Sequence, residues 1–305
     1  MQLQGVLPIL PTPFTDDGAV DEAGIRSLID FEREIGVHGV SILGFMGEAH
    51  RLSTPERRHI VTTVVDQAAG SIPTWVGVLA FGAAGAIEQA TEAQELGAAG
   101  VFVAPIRVQS DEVIFNYYAS IADVLEIPVA IHDFPESFGT ILSPALIARM
   151  ANEIEGVHYI KLEEHPVLAK MSRIQELAPD SIGIFGGLGG VYFFEELARG
   201  SRGIMTGFAF PEVLVAVYNA FREGDPDTAA ALFDRYVPLI RYEFQPKIGL
   251  AYRKFIYQRR GIINSTFIRP PGMQIDGYTQ NELTATIERT GLRLDISGVQ
   301  SVMPR

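Results

Sequence analysis

The sequence predicts an α/β chain folded as a (β/α)₈ TIM barrel over residues 1–224, with a C-terminal helical region over residues 225–305. Three observations predict it. Strand-like and helix-like segments alternate eight times before Gly224. The strand-like segments are short, continuous apolar runs, the mark of parallel strands covered on both faces. After Gly224 the strands stop and only helical patterns continue. A doubly wound open sheet is the rival, but its first turn is usually Gly-rich. Here that turn is Pro11-Thr12-Pro13.

Residues 5–14 read as a strand punctuated by Pro8, Pro11 and Pro13, running into Asp16-Asp17-Gly18. Asp21 caps a helix that carries Ile25, Leu28, Ile29 and Phe31 and ends near Gly36. The second strand, 39–44, runs into Phe45-Met46-Gly47-Glu48. Ser53-Thr54-Pro55-Glu56 is a helix start: a hydroxyl cap, an early proline and a glutamate three residues after Ser53. Strands at 73–80, 100–105, 127–135, 158–164, 182–187 and 203–207 then alternate with helices. Those helices lie at 83–96, 111–125, 144–154, 166–177, 191–199 and 211–221. The tail reads as helices at 225–242, 248–259 and 280–293, whose apolar faces must cover the barrel or a partner subunit.

Bulk properties narrow the function. A net charge of −13 disfavours nucleic acid or an anionic membrane as partner. It leaves room for an anionic small molecule in a local pocket. The chain has no cysteine, so thiolate catalysis and Cys-ligated metals are excluded and a cytoplasmic location is expected. No signal peptide and no transmembrane run is read. The histidines show no metal-ligand spacing, so no metal and no cofactor is expected.

In such a barrel the chemistry lies at the C-terminal strand ends. That rule selects Thr12; Phe45, Met46 and Glu48; Ile106 and Arg107; His132 and Asp133; Lys161 and Glu163; Gly186 and Gly187; Thr206 and Gly207. Of the four lysines only Lys161 interrupts a predicted buried strand. A strand-end lysine that snorkels to water is the bland reading. A reactive amine is the other: an apolar mouth lowers its pKa, and a neutral amine forms an imine with a ketone. Alternation puts Tyr159, Lys161 and Glu163 on one face. Neighbouring strands lie about 4.8 Å apart, so His132 and Lys161 are expected to converge. Glu163 on that face would favour the ammonium unless protonated or turned away. His132 is read as a proton-transfer group or a hydrogen-bonded strand-end histidine. Glu48 is read foremost as a structural carboxylate, and Arg107 as a substrate-carboxylate clamp or a surface ion-pair partner.

Gly44-Phe45-Met46-Gly47-Glu48, Ile131-His132-Asp133-Phe134-Pro135 and Tyr159-Ile160-Lys161-Leu162-Glu163 resemble, in order and spacing, the dihydrodipicolinate synthase / N-acetylneuraminate lyase family. The resemblance implies a barrel, Schiff-base lyase chemistry on 2-oxo acids with Lys161 as the imine lysine, no metal, and commonly a homotetramer. The family's Gly-Thr-Thr-Gly-Glu loop has lost both hydroxyls here, at Phe45 and Met46, which in the family help to bind the carboxylate. Its Tyr-Asn-x-Pro is His132-Asp133-Phe134-Pro135, and its second relay tyrosine is replaced in Pro105-Ile106-Arg107. Asp133 and the Lys161-Leu162-Glu163 run look more like dehydratases of 2-keto-3-deoxy sugar acids. The expected function is therefore an aldolase or dehydratase acting on such an acid. His132 joins Lys161 in catalysis. Phe45, Met46, Gly47, Glu48, Arg107, Asp133, Glu163, Gly187 and Thr206 are the expected substrate contacts. Aldol chemistry with pyruvate is one alternative, and a catalytically inactive barrel that binds a small acid is another.

Overall fold

The computed structural model describes residues 3–178, 181–296 and 298–302. Met1, Gln2 and residues 303–305, at the ends of the two predicted regions, lie outside the described residues. The strands are β1 (Gly5–Pro8), β2 (Val40–Ile42), β3 (Thr74–Val78), β4 (Gly100–Val103), β5 (Val129–Asp133), β6 (Val157–Leu162), β7 (Gly183–Gly186) and β8 (Gly203–Thr206). They form one parallel sheet in the order β1-β8-β7-β6-β5-β4-β3-β2. The seam between β1 and β2 closes through His38 N to Val6 O (3.0 Å) and Leu10 N to Ser41 O (2.9 Å). The predicted barrel is therefore the observed one.

The helices are α1 (Glu22–Ile35), α2 (Thr54–Ala68), α3 (Ala83–Glu95), α4 (Asp111–Ala122), α5 (Pro135–Phe138), α6 (Pro144–Glu153), α7 (Val167–Leu177), α8 (Phe193–Ala198), α9 (Pro211–Arg222), α10 (Pro226–Glu243), α11 (Gly249–Arg259) and α12 (Gly277–Thr290). Asp21 caps α1 by accepting from Gly24 N at 2.9 Å, and Glu56 accepts from Ser53 N at 2.8 Å. Boundaries differ where a buried apolar run outlasts its strand. The run at 39–44 yields only β2, because Leu43 turns into the left-handed region (φ 57°). The helix read at 191–199 starts later, at Phe193, behind a 3₁₀ turn over Leu188–Gly190. The last helix sits three residues earlier than its apolar pattern suggests. Asp276 caps it through Thr279 N (2.8 Å), and left-handed Gly291 ends it.

Two apolar layers result. Leu7, Ile9, Trp75, Phe102, Ala130, Tyr159, Phe185 and Met205 fill the barrel interior. Val157, Ile160 and the other outward strand residues pack under the helices. One register shift decides which β6 residues face inward. Val129 pairs with Val157, but Ala130 pairs with Tyr159 and His132 with Lys161. His158 is the extra residue, and it is exposed. Such a bulge reverses the face of everything after it. Val157 belongs to the outer layer and Tyr159 to the interior, so the bulge carries Lys161 inward.

The tail is tied to the barrel through Glu48, which is fully buried. Its carboxylate accepts from Lys254 Nζ (2.7 Å), Arg51 Nη1 (2.9 Å) and Arg269 N (3.0 Å). Lys254 also donates to Phe267 O at 2.7 Å. Burial pushes the Lys254 ammonium down to about 8. Glu48→Ala would leave that amine without its carboxylate. Chemical denaturation should show a loss of about 3–5 kcal/mol, as for other broken buried pairs. A loss below about 1 kcal/mol, the range of exposed pairs, would show that the tail is anchored elsewhere.

Candidate active site

The register sets His132 beside Lys161. Lys161 Nζ lies 3.0 Å from His132 Nε2. Glu163, the next inward residue of β6's chain, closes a three-membered ring. Its Oε2 contacts Lys161 Nζ and lies 2.9 Å from His132 Nε2. Its Oε1 accepts from Leu188 N at 2.9 Å, which fixes the carboxylate from the far side. A Cβ at Gly187 would come within 2.4 Å of Glu163 Cγ, so that position must stay glycine for Glu163 to fit.

All three side chains are buried. Burial drives the Lys161 ammonium well below the usual lysine range, and the guanidinium of Arg253 pushes the same way. The Glu163 carboxylate pulls in the opposite sense. The proton that Lys161 releases thus has an acceptor in direct contact. Burial, then the Lys161 charge, holds His132 well below the usual imidazole range. A neutral imidazole whose Nε2 meets both partners accepts from Lys161 in one tautomer and donates to Glu163 in the other. The cluster can therefore present a neutral amine and move one proton among three atoms.

Aromatic rings dry this corner. Phe134 stacks on His132 at 6.2 Å, and Phe138 and Phe102 meet it edge-on at 4.8 and 5.6 Å. Phe45 packs on Phe138 at 5.3 Å. Beside them opens a cavity of about 400 Å³, lined among others by Phe45, Met46, His132, Lys161, Glu163, Thr206 and Arg253, a size suited to small ligands. A larger cleft, about 680 Å³, lies at the opposite end of β5 and β6, around Ile127, Gly156 and His158.

Of the eleven residues expected in catalysis or substrate contact, Lys161, His132, Glu163, Phe45, Met46 and Thr206 meet at this cavity, and so does Gly207 from the strand ends. The other five of the eleven do not line it. Asp133 follows His132 in strand alternation and so points outward, where its Oδ2 accepts from Lys170 Nζ at 2.6 Å. Burial raises its carboxyl to about 6. Glu48 is consumed by the tail anchor. Gly187 backs Glu163. Gly47 packs against the Leu43 backbone, and its carbonyl accepts from Thr12 Oγ1 at 2.7 Å. The amides of Phe45, Met46 and Gly47 donate to no acceptor among the described residues. Arg107 is exposed and lies beside Gly139, so its expected place as the cavity's cation is corrected. Arg253, from α11 in the tail, is a buried cation that lines the cavity and has no counterpart in the sequence reading. Phe134 and Phe138 were also missed, although they stand just after His132 in the chain.

Comparison with known proteins fits this geometry. A family model described as the dihydrodipicolinate synthetase family matches residues 2–290. The chain is 32% identical over 293 residues to an L-2-keto-3-deoxyarabonate dehydratase of Azospirillum brasilense, covering 94% of each protein. It is 32% identical over 296 residues to a 4-hydroxy-tetrahydrodipicolinate synthase of Methanopyrus kandleri, covering 95% of this chain and 97% of that protein. A crystal structure of dihydrodipicolinate synthase from Rhodopseudomonas palustris superposes with a TM-score of 0.89 at 33% identity, covering 94% of this chain and 97% of that one. With its eight-stranded barrel and a match along nearly its whole length, this chain belongs to the dihydrodipicolinate synthetase family.

Proposed function

We propose that this protein is a Schiff-base lyase that dehydrates a 2-keto-3-deoxy sugar acid. The observation that carries the reading is the buried contact of Lys161 with both His132 and Glu163. Similarity to a dehydratase of a 2-keto-3-deoxy acid supports dehydration over aldol cleavage.

The steps follow from the chemistry. The neutral Lys161 amine adds to the C2 ketone, and water leaves to give a protonated imine. Glu163, in contact with Nζ, or His132 removes a proton from C3, and the electron pair flows to the imine nitrogen. The resulting enamine expels the C4 hydroxyl. The same acid–base pair returns the proton, so the hydroxyl leaves as water. Hydrolysis of the remaining imine frees Lys161 and an unsaturated 2-oxo acid or its tautomer. The unpaired amides of Phe45 and Met46, two residues that line the cavity, are the donors for the substrate carboxylate. The aromatic wall keeps bulk water from the imine.

Product analysis tests the reaction. Incubation with 2-keto-3-deoxypentonates should yield a dehydrated acid and no pyruvate. Stoichiometric pyruvate and a released aldehyde would instead assign carbon–carbon cleavage.

A further inference from the structure

Arg253 is 4% exposed, yet its guanidinium is only partly bonded. Nε donates to Glu243 Oε1 at 2.8 Å. Nη1 meets Met46 Sδ, and a thioether is a weak acceptor. Nη2 has no hydrogen-bond partner among the described residues. The guanidinium lines the cavity that holds Lys161. A Cβ at Gly207 would come within 2.9 Å of Nη1, so the end of β8 is kept bare to admit it. Glu243 is itself held by Ala209 N at 3.0 Å, so the fork is fixed in orientation. Lys247, the other unassigned cation at the cavity, is exposed at its rim.

A buried, oriented fork with open donors suits a carboxylate, which it can grip by two parallel bonds. Met46 and Phe45 stand where hydroxyls are missing, and Arg253 reaches Met46 from the tail. We propose that Arg253 is the carboxylate clamp of this cavity, gripping the C1 carboxylate of the 2-oxo acid beside Met46. The inference rests on the reading that a 2-oxo acid binds at Lys161. It makes the helical tail part of the active site. Arg253 also helps to drive the proton from Lys161, so one side chain both binds the anion and readies the amine.

Pyruvate is the probe, because it carries the C1 carboxylate and nothing beyond a methyl group. Borohydride-trapped adduct is titrated against pyruvate in the unaltered chain, Arg253→Met and Arg253→Lys. Half-saturating pyruvate should rise about 10–100-fold in Arg253→Met, as for a lost charged hydrogen bond. Arg253→Lys should recover part of it. Hydroxyacetone, a ketone without the carboxylate, reads the effect of Arg253 on the Lys161 amine alone, so its half-saturating concentration should rise less than that of pyruvate, and an equal rise for both would overturn the clamp. Because Arg253→Met strands Glu243 in the core, Arg253→Met with Glu243→Gln is the companion variant. An unchanged pyruvate curve in both, with only longer acids weakened, would overturn the clamp and move Arg253 to the far end of the substrate. If the unaltered chain traps no 2-oxo acid, the Schiff-base reading fails. Calorimetric titration of pyruvate then tests the clamp alone, and equal affinity in the unaltered chain and Arg253→Met overturns it.

Discussion

Lys161→Ala should give no borohydride-trapped adduct with pyruvate or any 2-keto-3-deoxy acid, and turnover should fall by roughly 10³-fold or more, as when other covalent nucleophiles are removed. The expectation rests on position. Of the four lysines, Lys170 is committed to Asp133 and Glu164, Lys254 to Glu48, and Lys247 is exposed. Only Lys161 is both inside the cavity and pushed by burial well below the usual lysine range. Lys161→Arg separates nucleophile from charge. It restores a cation beside Glu163 but offers no amine, so it should melt close to the unaltered chain and remain inactive. An adduct that persists in Lys161→Ala, mapped by peptide mass spectrometry to another lysine, would overturn the assignment.

Glu163→Gln should split binding from turnover. The imine can still form, because the amine remains. Trapping with pyruvate should therefore persist while turnover falls about 10²–10⁴-fold, the usual contribution of a proton-transfer group. The pH dependence carries a sign. Glu163 favours the Lys161 ammonium, so its removal lets Nζ lose its proton at lower pH. The acid limb of the trapping profile should move to lower pH in Glu163→Gln. A limb that stays in place would mean that Glu163 is not the carboxylate that feels the Lys161 charge. A limb that moves without loss of turnover would leave His132 as the proton carrier.

The barrel was legible because its signal is repetitive: each apolar run and each capped helix repeats the same unit. Lys161 and His132 were legible for a related reason. Adjacent parallel strands bring residues at their C-terminal ends into register, and this needs only sequence order and strand spacing. Asp133 was misread because alternation was not carried one residue beyond His132. Arg107 was misread because following β4 fixes the end of the barrel but not the direction of a loop side chain. Arg253 left no sequence signal. Residues Gly249 to Tyr257 of α11 are all buried, so no polar face marks it out. Its reach to the cavity depends on how the tail folds back, through contacts such as Glu48 with Lys254, some two hundred residues apart in the chain.

The extra residue at His158 makes the active site a matter of counting. Nothing in the chemistry of Val157 or Tyr159 says which faces inward; the odd residue between them does. Closing the bulge by one deletion would turn either the lower or the upper half of β6 inside out. In the second case Ile160 and Leu162 would take the interior, and the amine would be delivered among the helices. The proposed nucleophile would then be lost with every residue of the proposed site still in the sequence. A two-residue change would restore the frame. In this barrel, then, function is guarded by a parity as well as by side chains, and a gap in an alignment at β6 means more than a substitution there.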